Sequence, residues 1–454
     1  MKNRFNNILK FPSITIIIVI CLTIIEIHFN LIRWNNKSVI NWDVAGYYSY
    51  LPALFIDHDI SFKKSKSLDE NNYNYVTNKQ GQHVIKYSVG MAILYAPFFF
   101  SAHILADSLN YEPNGYSEIY QAFIEFSGLF YLLFGLIFLR KILLLYFNEK
   151  ITALSILFIY FGTNLFCYST IEPAMSHEYT FALFSGFIYY SIKYYQDFKL
   201  KQIIILAIIF GLITLVRPIN FLFILFPILF GLNENGLKSG IVQLITEKHK
   251  HLVIFILIFS LIIFIQLLYW KIVTGNYFYF SYSEEGFFFK NPHIFDSLFG
   301  FRKGWIIYSP IILFSLIGIF LMRKQASKLF FLPISLIVLI YFHIVSSWWC
   351  WWYGGSFGLR AMIDIYPLLC LSFASFLFYM KDWSNLKKGI VYSFLLLLVI
   401  INLIQTYQYK RFVIHYDSMT ATAYINSIGK IESTDTDSTL LIHPNYKNAL
   451  LGYE

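Results

Sequence analysis

Charge is what this 454-residue sequence has least of. Only 13% of its residues are Asp, Glu, Lys or Arg, where a soluble domain carries about a quarter. Without that polar cover, a soluble protein of this size could not hide the 57% of residues that are apolar, so a soluble fold is excluded. Cysteine is also scarce. Cys21, Cys167, Cys350 and Cys370 are scattered in or beside apolar runs, with neither metal-ligand spacing nor the pattern of a disulfide framework. No repeat period and no sustained heptad is visible, and no segment reads as a soluble phosphate-binding domain.

Long apolar runs take the place of these features. Stretches such as 14–25, 203–215 and 252–268 approach or reach the roughly 20 residues needed to cross a bilayer. Aromatics make up 20% of the chain, and Trp and Tyr gather near the ends of the runs, as interfacial anchoring requires. The sequence therefore predicts an all-α polytopic membrane protein. Residues 1–10 followed by an apolar run look like a signal peptide, but no small-residue cleavage site follows, so an uncleaved first span is expected.

A net charge of +9 invites a nucleic-acid partner. The Lys and Arg residues fall mostly in short loops between spans, however, which is the pattern that holds loops in the cytoplasm. No nucleic-acid partner is expected. Basic clusters occur at Lys2/Arg4/Lys10, Arg140/Lys141/Lys150, Lys193/Lys199/Lys201, Lys248/Lys250, Arg323/Lys324/Lys328 and Lys381/Lys387/Lys388. Placing all of them inside gives about 11 transmembrane helices. They lie near 13–33, 118–139, 151–168, 175–192, 200–215, 217–233, 250–273, 305–322, 328–346, 361–380 and 387–407. The expected organisation is a membrane domain over 1–407, with outer loops at 34–117 and 274–304, and a short extracytoplasmic tail at 408–454. The apolar stretch 89–106 is long enough to span, yet counting it would invert every later basic loop. It is expected at the outer surface as a bent interfacial helix, with Pro97 in its middle. Residues 61–82 read as a polar surface loop, and 431–438 as a flexible polar segment.

Polar groups stand out against so apolar a background, because an ionisable side chain at membrane depth is costly unless paired or solvated. Asp43, in Trp42-Asp43-Val44-Ala45-Gly46-Tyr47-Tyr48, follows the first span on an amphipathic helix expected to run to about Asp57; the simpler reading is a helix N-cap. Lys86 opens the 89–106 stretch, where it could equally snorkel to headgroups. Glu172, His177 and Glu178 gather at the outer mouth of the fourth span. Arg217-Pro218 breaks the chain at the outer end of the fifth, to bind an anion or to cap the preceding carbonyls. The second outer loop carries Glu284 and Glu285, then Arg302 and Lys303.

Ser347-Trp348-Trp349-Cys350-Trp351-Trp352-Tyr353-Gly354-Gly355-Ser356-Phe357-Gly358-Leu359-Arg360 precedes the tenth span, with Asp364 one turn on. Four tryptophans and three glycines exceed what anchoring needs. Aromatic faces pack on sugar C–H surfaces and isoprenoid chains, and glycine allows close backbone approach. Tyr47, Trp351, Trp352, Tyr353 and Asp364 are therefore candidate substrate contacts, although Arg360 and Asp364, at i and i+4, could simply pair. All these clusters fall on the outer side of a topology fixed by other residues, which argues for one extracytoplasmic active site.

These residues resemble the GT-C superfamily of integral membrane glycosyltransferases, the group that includes aminoarabinose transferases and protein mannosyltransferases. The resemblance covers most of the chain. It rests on Asp43 after the first span, on interfacial helices in the first outer loop, on the outer loop after the seventh span, and on the segment ending Gly358-Leu359-Arg360. It implies a polyprenyl-phosphate-linked sugar donor and transfer on the outer face of the plasma (inner) membrane to a lipid, glycan or protein acceptor of the cell envelope. It further implies Asp43 as general base, and Lys86 as a contact to the donor phosphate. Asp43 is followed by Val44 where many relatives carry an acidic pair, and Lys86-Tyr87-Ser88-Val89 replaces the Lys-Pro-Pro-Leu-like segment of aminoarabinose transferases.

The chemistry fits that assignment. A carboxylate that takes the acceptor proton assists a poor nucleophile, with His177 and Glu178 as further catalytic candidates. A leaving phosphate needs preorganised cations, and Lys86, Arg217, Arg302 and Arg360 are at hand. No carboxylate cluster demands a metal cofactor, although Asp43 with Glu172 or Glu178 would be the pair to form one. Two other readings stand beside this one: a secondary transporter, which would place ionisable groups near the bilayer midplane, and a polysaccharide polymerase or ligase using the same lipid-linked donor. Glu26 and His28 are the only close ionisable pair deep in an apolar run.

Overall fold

A computed structural model describes residues 11–62, 75–78, 81–233 and 240–453. The fold is all-α, 69% helix against 2% strand, and seven helices among the described residues are long and apolar enough to cross a membrane. Six coincide with expected spans: Pro12–Leu31, Glu118–Leu143, His249–Thr274, Ala326–Ser346, Arg360–Asp382 and Asn385–Lys410. The seventh is Gly90–Leu109, the stretch that the charge pattern puts at the outer surface. Pro97 lies inside its unbroken α-helical part, Gly90–Ala106.

The other expected spans are helical but shorter or more polar, for local reasons. The run 151–168 becomes Glu149–Phe161 and Leu165–Thr170. They are separated at Gly162, where a Cβ would press on Ile311. The eighth span divides into Trp305–Tyr308 and Ile312–Leu321, around Pro310, whose ring disfavours helical backbone in the residue before it. Pro218 opens a 3₁₀ turn, Pro218–Ile224, ahead of Leu225–Asn233. Ser176–Asp197 is long enough to span, but its Tyr, Ser, His and Glu residues dilute its apolar character, and most of it is buried in protein. In contrast, His249–Thr274 buries only Gln266, Tyr269 and Val273. Leu257, Leu261 and Ile272 stand more than half exposed, a surface that suits hydrocarbon and not water.

Contacts divide the chain into two compact units. The central unit comprises Cys21–Phe138 and Glu172–Ser283. In it Leu200–Val216 packs against both Ser176–Asp197 and His249–Thr274. The two-stranded sheet here is antiparallel, with Tyr75 opposite Ile85 and Thr77 opposite His83, so the polar loop expected over 61–82 contains a strand at Tyr75–Thr77. Much of the rest of that loop, 63–74 and 79–80, lies outside the described residues.

The tail unit comprises Met1–Ile20, Leu139–Ile171 and Glu284–Glu454. Its core forms around Tyr366–Tyr379, a helix buried along almost its whole length between Ile312–Leu321 and Glu149–Phe161. Gly318 permits that approach, since a Cβ there would strike the Ser372 carbonyl. The segment 408–454 packs within this unit. The stretch 431–438, expected to be flexible, contains a capped turn: Asp437 accepts from Thr434 N at 2.8 Å and from Lys430 Nζ at 2.6 Å.

Candidate functional site

The sequence-predicted residues fall into two groups, one in each unit. The central unit carries Asp43, Tyr47, Lys86, His177, Glu178 and Arg217; the tail unit carries Arg302, Trp351, Trp352, Tyr353, Arg360 and Asp364.

Asp43 sits in the first turn of Trp42–Tyr48. Ser49 separates this short helix from Tyr50–Phe55, so the expected continuous helix is two. Asn41 occupies the N-cap position, and Asp43 does not. The Asp43 Oδ1 accepts a hydrogen bond from the Tyr87 hydroxyl at 2.6 Å. Tyr87 is held in place from both sides. The Ile85 amide donates to the Tyr269 hydroxyl at 2.8 Å and the Val89 amide to Gln266 Oε1 at 2.8 Å, while Ser88 bonds the Leu215 carbonyl. Gly90 lets the chain lie against the Leu215–Val216 backbone, where a Cβ would collide. Gly46 similarly leaves space for the Tyr87 ring. Burial, and then the Asp43 charge, hold the Tyr87 hydroxyl well above its ordinary titration range, so it remains a donor.

Lys86 neighbours this pair. Its ammonium lies 5.4 Å from the Tyr282 ring centre and 5.9 Å from that of Tyr87, within the range of a cation–π contact. The Ser281 hydroxyl fixes its backbone carbonyl at 2.6 Å. Two aromatic faces thus flank this cation.

Tyr47 is buried, its ring 4.6 Å from that of Tyr87 and its hydroxyl 3.5 Å from Ser176 Oγ. Ser176 begins the helix that carries His177 and Glu178. Arg217 Nη1 donates to His177 Nδ1 at 3.4 Å. Because a guanidinium only donates, that imidazole nitrogen is the acceptor. Glu178 is fully buried, and neither carboxylate oxygen has a hydrogen-bond partner. Gly128 makes room for it, since a Cβ there would come within 2.7 Å of Glu178 Oε2. The result is acceptor capacity that the protein leaves unused.

The tail-unit residues are more firmly packed. Trp352 is fully buried and Trp351 nearly so, in a cluster with Cys350 and Ala449. Arg302 lies over the Trp352 ring at 5.2 Å, and Tyr446 approaches the same indole at 5.5 Å. The Trp352 surface expected to receive a ligand is therefore covered by protein. The Tyr353 hydroxyl donates to the Val345 carbonyl at 3.3 Å. Asp364 is buried and accepts from the Tyr341 hydroxyl at 3.0 Å, a partner that the i, i+4 spacing with Arg360 does not suggest. The segment's end is secured by Asn164 and Tyr168: Asn164 Nδ2 donates to the Phe357 carbonyl at 3.3 Å, and the Phe357 amide donates to the Tyr168 hydroxyl at 3.0 Å.

Lys303 follows Arg302 in the basic pair of the second loop and was not among the candidate phosphate contacts. Its side chain is buried, and its ammonium donates to the carbonyls of Ser356 and Tyr416. Burial, and then the neighbouring Arg360 charge, bring its titration down to about 7. Arg360 is thus near Lys303. Among the described residues, no group of three or more His, Cys, Asp or Glu side chains has the arrangement of a metal site.

The sequence matches no protein-family model, and it has no significant similarity to a curated protein.

Proposed function

We propose that the chain is a GT-C-type membrane glycosyltransferase, with about 11 spans, that moves a sugar from a polyprenyl-phosphate donor to an acceptor outside the plasma membrane. The supporting observation is the Asp43 group: a carboxylate oriented by Tyr87 at 2.6 Å, next to Lys86 and in the same unit as Arg217, His177 and Glu178. On this reading Asp43 takes the proton of the acceptor hydroxyl as its oxygen attacks the anomeric carbon. The bond from that carbon to the phosphate oxygen breaks, and the polyprenyl phosphate leaves with the electron pair. Lys86 and Arg217 stabilise its developing charge. His177, accepting from Arg217, holds the guanidinium in place.

The test is Asp43→Asn in proteoliposomes supplied with a polyprenyl-phosphate sugar. Transfer is expected to vanish while membrane insertion is unchanged. Retained transfer would remove Asp43 from the mechanism. Accumulation of an unused polyprenyl-phosphate sugar in a deletion strain would identify the donor.

One observation favours the transporter reading. His28 and Glu125, on Pro12–Leu31 and Glu118–Leu143, are both fully buried, with Nδ1 and Oε1 3.8 Å apart. Both Glu125 oxygens lack a hydrogen-bond partner. Paired ionisable groups on spanning helices are what a coupling-ion site requires. A transporter would drive solute or ion flux in proteoliposomes that Glu125→Gln abolishes; the absence of such flux would leave the transferase reading alone.

A further inference from the structure

The tail unit carries a cleft of about 310 Å³ bordered by His293, Asp296, Phe301, Arg302, Trp351 and Thr420. Its walls are fixed by their own networks. On one side, buried Lys303 ties the 300–304 turn to the Ser356 and Tyr416 carbonyls. The adjoining Arg302 rests on Trp352 and donates through Nη2 to the Ile442 carbonyl at 3.4 Å. Another side, 419–421, follows a polar node at Ser418, whose hydroxyl meets Asp417 Oδ1 at 2.6 Å and His443 Nδ1 at 2.8 Å. The Tyr446 hydroxyl donates to the other Asp417 oxygen at 3.0 Å. Thr420 donates to the Leu440 carbonyl at 2.8 Å. The third side is a stack: the His293 imidazole lies nearly parallel to the Trp351 indole, at 17° with 5.8 Å between centres. Asp296, with its side chain about half exposed at 52%, stands 3.6 Å from His293 Nδ1.

Size and charge narrow the occupant. The volume is at the lower end of small-molecule sites, which start at roughly 300 Å³, so it suits one ring-sized group. A phosphate entering beside Arg302 would also meet the Asp296 carboxylate, and a cation entering beside Asp296 would meet Arg302. A neutral polyol avoids both conflicts, since each hydroxyl can donate to the carboxylate and accept from a nitrogen donor. The Trp351 indole is itself buried in the stack, and the partly exposed His293 ring is the aromatic group that borders the C–H surface of a pyranose.

We infer that this cleft binds one neutral saccharide ring, with Asp296 as the acceptor of its hydroxyls and Arg302 as a sugar contact. The inference does not depend on Asp43 chemistry, and it holds for a transferase, a polymerase or a transporter of glycans.

The experiment uses full-length protein in lipid nanodiscs, which avoid the sugar headgroups of glycoside detergents. Saturation-transfer NMR is recorded with the methyl glycosides of glucose, galactose and mannose. Transfer to the ring protons of at least one is expected, lost in Asp296→Ala and in His293→Ala, and retained in Asp43→Asn. Circular dichroism establishes that each variant is folded. No transfer to any glycoside, or transfer unaffected by either tail-unit variant, overturns the inference. Displacement of the glycoside by inorganic phosphate also overturns it, because the cleft is then an anion site. Loss in Asp43→Asn alone would place the sugar in the central unit, sinking the cleft while leaving the transferase proposal intact. Retained transferase activity in Asp43→Asn would do the reverse.

Discussion

The Tyr87 hydroxyl donates to Asp43 Oδ1 at 2.6 Å, joining residues 44 positions apart in the sequence. A hydrogen bond to a charged group contributes about 1.5–3 kcal/mol, and in this position it both orients the carboxylate and favours its ionised form. Tyr87→Phe removes the donor and keeps the ring. Transfer is expected to fall by roughly 10- to 150-fold if that contribution is lost in the transition state. An unchanged rate would show that Tyr87 only fills space.

Gly90→Ala tests how the Asp43 group is held. The added Cβ meets the Leu215–Val216 backbone, which cannot rotate away as a side chain can, and overpacking of this kind costs about 1–3 kcal/mol. The variant should unfold at lower temperature and lose transfer, because Ser88 and Lys86 would be displaced with Gly90. Gly355→Ala is the control: its Cβ would meet only the Tyr416 side chain, at an ordinary 3.4 Å. Equal melting temperatures for the two variants would refute the close-approach account.

Much of this fold was legible because apolar length is a strong signal. His249–Thr274 and Asn385–Lys410 could be read almost to their ends. The breaks were less visible. An apolar run looks the same whether or not Pro310 divides it, and Gly162 gains its meaning only from Ile311, far along the chain. Gly90–Leu109 was recognised as helical and apolar, but its length alone satisfies spanning while the loop charges oppose it. The two criteria measure different things.

The candidate site residues followed a similar division. Asp43 and Lys86 stood out because charge is rare in this chain. Tyr87 did not, since one tyrosine among 35 carries no signal of its own. Glu125 was missed for a different reason: its approach to His28 arises from helix packing, and no spacing along the sequence encodes it. The tryptophans were noticed for their density, yet the structure uses Trp352 as a buried support for Arg302.

That support makes Trp352→Ala costly. Truncating a fully buried Trp costs about 3–5 kcal/mol, and the cavity would open beneath Arg302 and beside Tyr446. The tail unit is expected to melt at lower temperature, with weaker glycoside binding as Arg302 loses its platform. Trp352→Phe keeps an aromatic face and should recover most of both. If the Phe variant behaves like the Ala variant, the indole has a role other than support.

Lys303 gives the tail unit a dependence on pH with a definite sign. In the unfolded chain this amine titrates near its ordinary 10.5, whereas in the folded unit burial and the Arg360 charge bring it to about 7. Between those values the unfolded chain binds more protons than the folded one, so stability rises with pH across that interval. The contribution is complete above about 10.5 and is lost as pH falls through about 7, where the buried ammonium carries its full desolvation cost. Lys303→Met has no such proton to release. The difference in melting temperature between the native protein and this variant should therefore move in favour of the native protein as pH rises from 7 towards 10. Taking the difference cancels the other groups that titrate in that range. A difference that stays constant with pH would mean that Lys303 remains charged in the folded unit, held by the Ser356 and Tyr416 carbonyls strongly enough to offset its burial.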